Sequence, residues 1–431
     1  MKRTLCAFVV AVMMGFGASA QSSGAAPAWL GRWDGELALA QGRMPFSLRM
    51  VEGGALLDLP GAQLYGYPSA SSGISGNDLE LAFAFGGGMM SFSGTSTNGR
   101  VEGSFRQGDG PDAPGGTFFM ERSPVQPDAA TSYALKASDG ARLAGTLLVP
   151  PVVSPDRAKP PLLILHAGLG AADRDGNNYN VPGKNDALRL LAEDLLGKGI
   201  ATYRYDKRGS GASSWLVRRE EDLSLEAWIR DLATAARELS DSGRYSGVWL
   251  FGLNDGALVA VAAANACAAA GTSVSGTIVA CASADGTLDA FKKAVGQSPA
   301  EERAEGEAII AALLAGNRVD APSSYYAAAF RPSFQPYLIE AFRRDIETEL
   351  ARWNGPCLLV QGDMDMQATL ADFMALGSAR PGATTIIVPR MNHLLKDVSQ
   401  DVEENRAAFS DPSYRVSTLL VDEIVNFVSA R

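Results

Sequence analysis

Two residues late in the chain have the types and order that proton-transfer chemistry requires. Asp365 lies in Gly362-Asp363-Met364-Asp365-Met366-Gln367 and His393 in Met391-Asn392-His393-Leu394. Each follows an apolar run with strand character, Cys357–Gln361 and Thr384–Val388. A histidine that shuttles protons needs a carboxylate on its far nitrogen, which fixes the tautomer and stabilises the imidazolium. The chain has only two histidines, His166 and His393, so chance is a poor explanation for this placement. The nucleophile should then stand earlier, in Gly252-Leu253-Asn254-Asp255-Gly256. That stretch follows the apolar run Val248–Phe251 and precedes an Ala-rich helical segment. A strand, a tight glycine-flanked turn and a helix form the context of the G-x-S-x-G nucleophile elbow. The glycines are required because the central residue is strained and neighbouring side chains would collide with strand or helix. The central residue here is Asn254, not serine. A carboxamide offers no proton whose removal by His393 yields a useful nucleophile.

Four chemistries stay open from these residues. The site binds a ligand without turnover; His393 and Asp365 activate water directly; Asn254 deamidates to an aspartate nucleophile; or Asn254 is an altered serine. Asp255 as nucleophile is disfavoured because its side chain leaves the elbow in another direction.

An oxyanion needs amide donors. Leu162–Leu165 reads as a strand ending at His166, and Ala167-Gly168-Leu169-Gly170 follows. The Leu169 amide is the expected donor there, and the Asp255 amide, just past the elbow centre, its partner. The GxGxxG of dinucleotide folds is not completed, since Asp173 stands where a glycine is required. Tyr203–Ser213, YRYDKRGSGAS, reads as a structural ion-pair corner, with a substrate-carboxylate site as the weaker alternative. Asp173 and Asp175 fall short of a calcium ligand set and are expected to make structural hydrogen bonds.

These loops need a scaffold. Helix candidates at Lys184–Leu196 and Leu225–Leu239 alternate with strands at Leu162–Leu165, Ile200–Arg204, Val248–Phe251 and Gly276–Ala280. Such alternation implies a mostly parallel sheet covered on both faces. Tyr133–Lys136 and Leu143–Val149 are expected to open it as a hairpin. Strand character is lost between about 285 and 352, where Glu301–Leu314 and Tyr337–Leu350 look helical, as in a cap over the strand ends. A helix near Ser417–Ala430 closes the chain. Residues 28–122 differ: short strands at Trp33–Ala38, Phe46–Val51, Leu79–Phe85, Met89–Thr95, Val101–Arg106 and Thr117–Glu121 suggest a small barrel or sandwich, read as a packing partner. Residues 123–130 read as a linker and 131–431 as the second domain.

Residues 1–20 carry a basic start (Lys2, Arg3), an apolar run (Leu5–Phe16) and Ala18-Ser19-Ala20, the pattern of a secretory leader cleaved after Ala20. Export to a periplasm or medium is therefore expected. No other stretch is apolar and long enough to span a bilayer. The formal charge is −10, and more negative once Lys2 and Arg3 are removed. That balance argues against nucleic acid and anionic membrane surfaces. Cys267, Cys281 and Cys357 lie in apolar elements and read as buried thiols. No metal and no cofactor is implied, and oligomeric state is not legible.

Taken together, DRDGNN, NDALRLLAEDL, RYDKRGSGAS, GLNDGALVA, QGDMDMQ and MNHLLK resemble blocks of the secreted or periplasmic α/β-hydrolases of the carboxylesterase and serine-aminopeptidase-like type. The resemblance covers residues 131–431, and the β-rich N-terminal domain is similar to one that precedes such hydrolases. It implies an α/β-hydrolase fold with a helical cap, Asp365 as triad acid, His393 as base and an ester-like or peptide-like small molecule as ligand. The departures are Ala167 in the oxyanion loop and Asn254 at the serine position.

Overall fold

Alternating apolar and polar residues build the first part of the chain. The computed structural model describes residues 29–39, 42–85, 88–108, 113–123, 130–151, 159–168 and 170–430. The expected leader at 1–20 and Leu169 lie outside them. Nine antiparallel strands come first: β1 (Gly31–Leu39), β2 (Gly42–Val51), β3 (Gly54–Leu59), β4 (Leu64–Pro68), β5 (Ser71–Ser75), β6 (Asp78–Phe85), β7 (Gly88–Thr97), β8 (Arg100–Gln107) and β9 (Gly115–Arg122). They form one sheet in the order β4-β3-β2-β1-β9-β8-β7-β6-β5. This is an open half-barrel and not a sandwich, and β3, β4 and β5 add to the six strands expected. Along β6, Leu79, Leu81 and Phe83 are buried while Asp78 and Glu80 face water, as a half-buried strand requires. Phe92 anchors the core, its ring 5.3 to 6.0 Å from those of Phe46, Phe83, Phe105 and Phe118.

The second sheet has eight strands: β10 (Ala130–Ser132), β13 (Gly145–Leu148), β14 (Leu162–His166), β15 (Ala201–Tyr205), β16 (Val248–Leu253), β17 (Gly276–Ala280), β18 (Cys357–Gly362) and β19 (Thr384–Val388). Their order is β10-β13-β15-β14-β16-β17-β18-β19, and from β15 to β19 every neighbouring pair is parallel. This is the α/β-hydrolase core, preceded by an antiparallel β domain. The opening hairpin forms as two ladders: β11 (Leu135–Lys136) pairs with β12 (Arg142–Leu143), and β13 pairs with β10, upstream of the expected first arm. Ala130, expected in the linker, already belongs to β10. The fully buried strands β14 and β16 read as unbroken apolar runs, as parallel strands covered on both faces do.

Helices Ala187–Gly197 and Thr418–Ser429 pack with one apolar cluster, and Leu225–Asp241 and Gly256–Ala269 with the other. The cap holds helices Thr287–Gly296, Ala300–Leu314, Gln335–Ala341 and Ile346–Arg352. The single helix expected at Tyr337–Leu350 is split, because Asp345 caps the second piece by accepting the Thr348 amide at 2.7 Å.

The β domain touches the loops after β14 and β15. Tyr67 packs edge-on to Tyr179 at 5.2 Å, and the Gly183 amide donates to the Gln63 carbonyl at 2.7 Å. A Cβ at Gly53 would lie 2.6 Å from the Trp215 ring, so glycine is what lets that turn close on the second domain.

Candidate functional site

The elbow starts from β16, whose Val248–Leu253 residues are all buried. The chain reverses at Asn254, whose φ is +54°. Few side chains tolerate that region, and asparagine is among those that do. The turn is held by the Asn254 amide on the Ala280 carbonyl and by the Ala257 amide on the Asn254 carbonyl, both at 2.9 Å. Sterics fix its glycines. A Cβ at Gly252 would sit 2.3 Å from the Gly256 carbonyl oxygen, and one at Gly256 would sit 2.8 Å from that of Ala167. Gly168 also runs against the elbow: its Cβ would be 3.5 Å from the Asn254 Cβ and 3.2 Å from the Leu253 carbonyl.

Asp365 and His393 meet. His393 Nδ1 lies 2.9 Å from Asp365 Oδ2 and 3.0 Å from Oδ1, and the Asp365 side chain is fully buried. The bond occupies Nδ1, leaving Nε2 for a ligand. Asp365 also accepts the Gln367 and Ala368 amides at 2.7 and 3.0 Å and Gln361 Nε2 at 3.1 Å. The two loops are tied together. Met364 donates its amide to the Met391 carbonyl at 3.1 Å, and Asn405 Nδ2 donates to the Met364 carbonyl at 2.7 Å. Asn392 Oδ1 accepts the Leu394 and Lys396 amides, and its Nδ2 donates to Asn405 Oδ1 at 3.2 Å.

The elbow and the histidine face one ionic neighbourhood. Burial raises the Asp255 carboxyl above its usual range, and His393 and then Lys207 act in the opposite direction. Asp255 in turn helps push the Tyr337 hydroxyl up, after burial. The elbow and the histidine loop are linked through the end of β17, where the Asn254 amide meets the Ala280 carbonyl at 2.9 Å and Cys281 Sγ lies 4.0 Å from the Asn392 carbonyl. The Asp255 amide precedes helix Gly256–Ala269, where backbone N–H groups favour an anion. Leu169, the other expected donor, lies outside the described residues.

The charged corner is structural. Asp206 accepts Arg174 Nη2 at 2.6 Å and the Arg174 and Ala212 amides at 2.7 Å. Burial opposes its charge, but Arg174 holds it below the usual carboxylate range. Arg208 binds Asp231 at 2.6 Å and Asp139 at 2.9 Å. Asp173 Oδ1 accepts the Asp175 and Asn177 amides at 2.9 and 3.0 Å, closing a turn as expected. Lys207 donates from Nζ to the Gly168 carbonyl at 2.6 Å and the Ala172 carbonyl at 3.0 Å. His166 pairs through Nδ1 with the Tyr205 hydroxyl at 2.8 Å, and burial followed by the Lys207 charge keeps it neutral.

Among the described residues no group of three or more His, Cys, Asp or Glu side chains is arranged to hold a metal. No described helix is long and apolar enough to cross a membrane. Cys267, Cys281 and Cys357 are buried free thiols. Sequence reasoning missed Gln361, Asn392, Asn405, Lys207 and Tyr337. Gln361 and Asn392 are polar residues next to the acid and histidine motifs, which is a usable signal; Asn405 and Tyr337 had none, because their approach is a tertiary fact.

Residues 185–395 match the family model described as serine aminopeptidase, S33. That span carries the elbow, the acid loop and the histidine loop. No curated protein matches the chain. Among solved structures, Est1E from Butyrivibrio proteoclasticus with bound ferulic acid is similar at 16% identity, covering 70% of this chain and 100% of that one, with a TM-score of 0.46. A puromycin-hydrolyzing peptidase from Mycobacterium tuberculosis is similar at 13% identity and a TM-score of 0.46, over 95% of this chain and 56% of that one. A dienelactone hydrolase from Anabaena variabilis is similar at 14% identity and a TM-score of 0.41, over 71% and 99%.

Proposed function

We propose, for an α/β-hydrolase related to the serine aminopeptidase S33 family, that this protein is exported and binds an ester-like or peptide-like small molecule at the elbow, with hydrolysis reduced or absent. One observation carries the reading. Asn254 occupies the strained elbow position from which a hydroxyl would attack, while the Asp365–His393 bond persists. Removing the nucleophile of a serine triad leaves only oxyanion stabilisation and binding, about 10³–10⁴ over water. The Asp255 amide is the oxyanion donor on the elbow side, and Leu169 supplies the second. Cleavage after Ala20 places the protein in a periplasm or the medium.

A second reading has a specific support of its own. His393, held by Asp365 through Nδ1, has Nε2 free to take a proton from water, which gives slow hydrolysis without a covalent intermediate.

The test is p-nitrophenyl butyrate hydrolysis by the mature protein, by Asn254→Ser and by His393→Ala, with intact mass of the unaltered chain. Turnover by the serine variant alone supports the binding reading. Turnover by unmodified wild type that His393→Ala abolishes replaces it with the second. A mass shift of about 1 Da at Asn254 accompanying activity points to a deamidated nucleophile. N-terminal sequencing of the fractionated protein should begin at Gln21; retention of Lys2 and Arg3 would sink export by this leader.

A further inference from the structure

We infer that Lys207 is a positioning residue for the elbow: by clasping two backbone carbonyls it holds Gly168 against Asn254. The inference rests on the elbow being the ligand site proposed above. Lys207 is 2% exposed, and burying an ammonium is costly unless its donors are met. Its Nζ meets Gly168 O at 2.6 Å and Ala172 O at 3.0 Å. Both carbonyls belong to the stretch between β14 and the Asp173 turn. The other cations of this corner behave differently. Arg174, Arg204 and Arg208 each bind a carboxylate, and such pairs hold side chains to side chains. Lys207 instead holds main chain.

That main chain touches the elbow. Gly168 approaches so closely that a Cβ would lie 3.2 Å from the Leu253 carbonyl and 3.5 Å from the Asn254 Cβ. A peptide carbonyl pinned on one side fixes the plane of its peptide, because the bond does not rotate. Displacing Gly168 by even a fraction of an ångström changes the gap a reacting or bound group must occupy, and small misplacements at a site are costly. The Lys207 ammonium sits 5.8 Å from the Trp228 ring centre, and Trp228 itself donates to the Arg208 carbonyl at 3.1 Å. The clasp therefore sits beside helix Leu225–Asp241 as well as against the loop.

The experiment uses the full-length protein with Lys207→Met, which keeps the stem and removes every donor. In the Asn254 protein, amide hydrogen exchange is followed across 166–173 and, as an internal control, across 384–395. Exchange in the first segment should speed up about tenfold or more while the second is unchanged. In the Asn254→Ser background, the same change should lower kcat about tenfold with KM within about twofold, because positioning acts on the transition state. Lys207→Arg, which keeps donors, should recover part of both effects. Unchanged exchange at 166–173 in a folded Lys207→Met protein overturns the inference. So does an equal rise in both segments, which would make the lysine a general stability element. Should Lys207→Met not fold, Lys207→Arg and Lys207→Gln are read by the same exchange comparison, and a graded response confined to 166–173 is required. If Asn254→Ser shows no turnover, the functional reading fails while the exchange result still decides the role of Lys207.

Discussion

The two halves of the site are maintained in different ways. On the elbow side everything stringent is backbone: Gly252 and Gly256 have no room for a Cβ, and Asn254 keeps a positive φ. Only the side-chain chemistry is missing. On the other side the chemistry is present, but it is also built into the loop. Asp365 takes two backbone amides and Gln361 in addition to His393, so this carboxylate is needed for its turn whether or not any proton moves. Among the described residues His393 bonds only Asp365 through its ring, and it is the sharper indicator of function. Elbow geometry and a buried acid can therefore outlast catalysis, because packing alone sustains them. Each half also has a buried lysine on two carbonyls: Lys207 on Gly168 and Ala172, and Lys396 on Ala408 and Asp411 at 2.8 Å.

Several changes would break or sharpen that contrast. The largest effect is expected from Asn254→Ser. If the elbow lacks only its hydroxyl, ester turnover rises on the order of 10³-fold over wild type in a p-nitrophenyl butyrate assay. No gain would mean that the backbone half has drifted too. Adding His393→Ala to that variant should remove most of the gain, about 10²-fold or more; a serine variant indifferent to His393 would show that the acid–histidine half is no longer coupled to the elbow. Gly252→Ala forces a contact of 2.3 Å on the Gly256 carbonyl and should cost about 3 kcal/mol in denaturant unfolding. A neutral result there would contradict the steric account of the elbow. Gln361→Leu removes donors to Asp365 and to the Ala368 carbonyl and should cost about 1–2 kcal/mol, measured the same way.

The smallest effect concerns pH. Burial, only partly offset by Asp173, Asp206 and Asp255, pushes Lys207 down to about 7 from 10.5. The folded protein then sheds this proton before the unfolded chain does. The charged form costs stability below pH 7, and that cost is relieved as pH rises from 7 towards 10.5. Between pH 7 and 8 wild type should gain roughly 1 kcal/mol relative to Lys207→Met. Parallel stability curves across that window would argue against a strongly depressed lysine.

Much of this could be read in advance where local pattern and local constraint agree. β14, β16, β18 and β19 were legible as apolar runs ending in chemistry-bearing loops, and β6 as a short strand bounded by turn residues. Residues 54–75 were not: Gly54–Leu59 is buried throughout and shows no alternation, and Leu64–Pro68 carries a glycine and a proline that read as turn. The Asp–His pairing was legible because histidine is rare here. The clasp by Lys207 was not, since RYDKRGSGAS shows a cluster of charges without saying which of them faces main chain. Nor was the packing of the Tyr337 ring 5.7 Å from that of Trp228, which depends on how the cap folds back.

The buried thiols carry a practical consequence. Cys281 lies 4.0 Å from the carbonyl of Asn392, beside His393, Cys357 begins β18, and Cys267 sits in the helix that leaves the elbow. Each is shielded, so a thiol reagent can reach it only when its own surroundings open. Alkylation rates at the three sites, resolved by peptide mass, would give three separate clocks for local opening. The Cys281 clock would time the histidine loop on its own, in the unaltered protein and with no substrate needed.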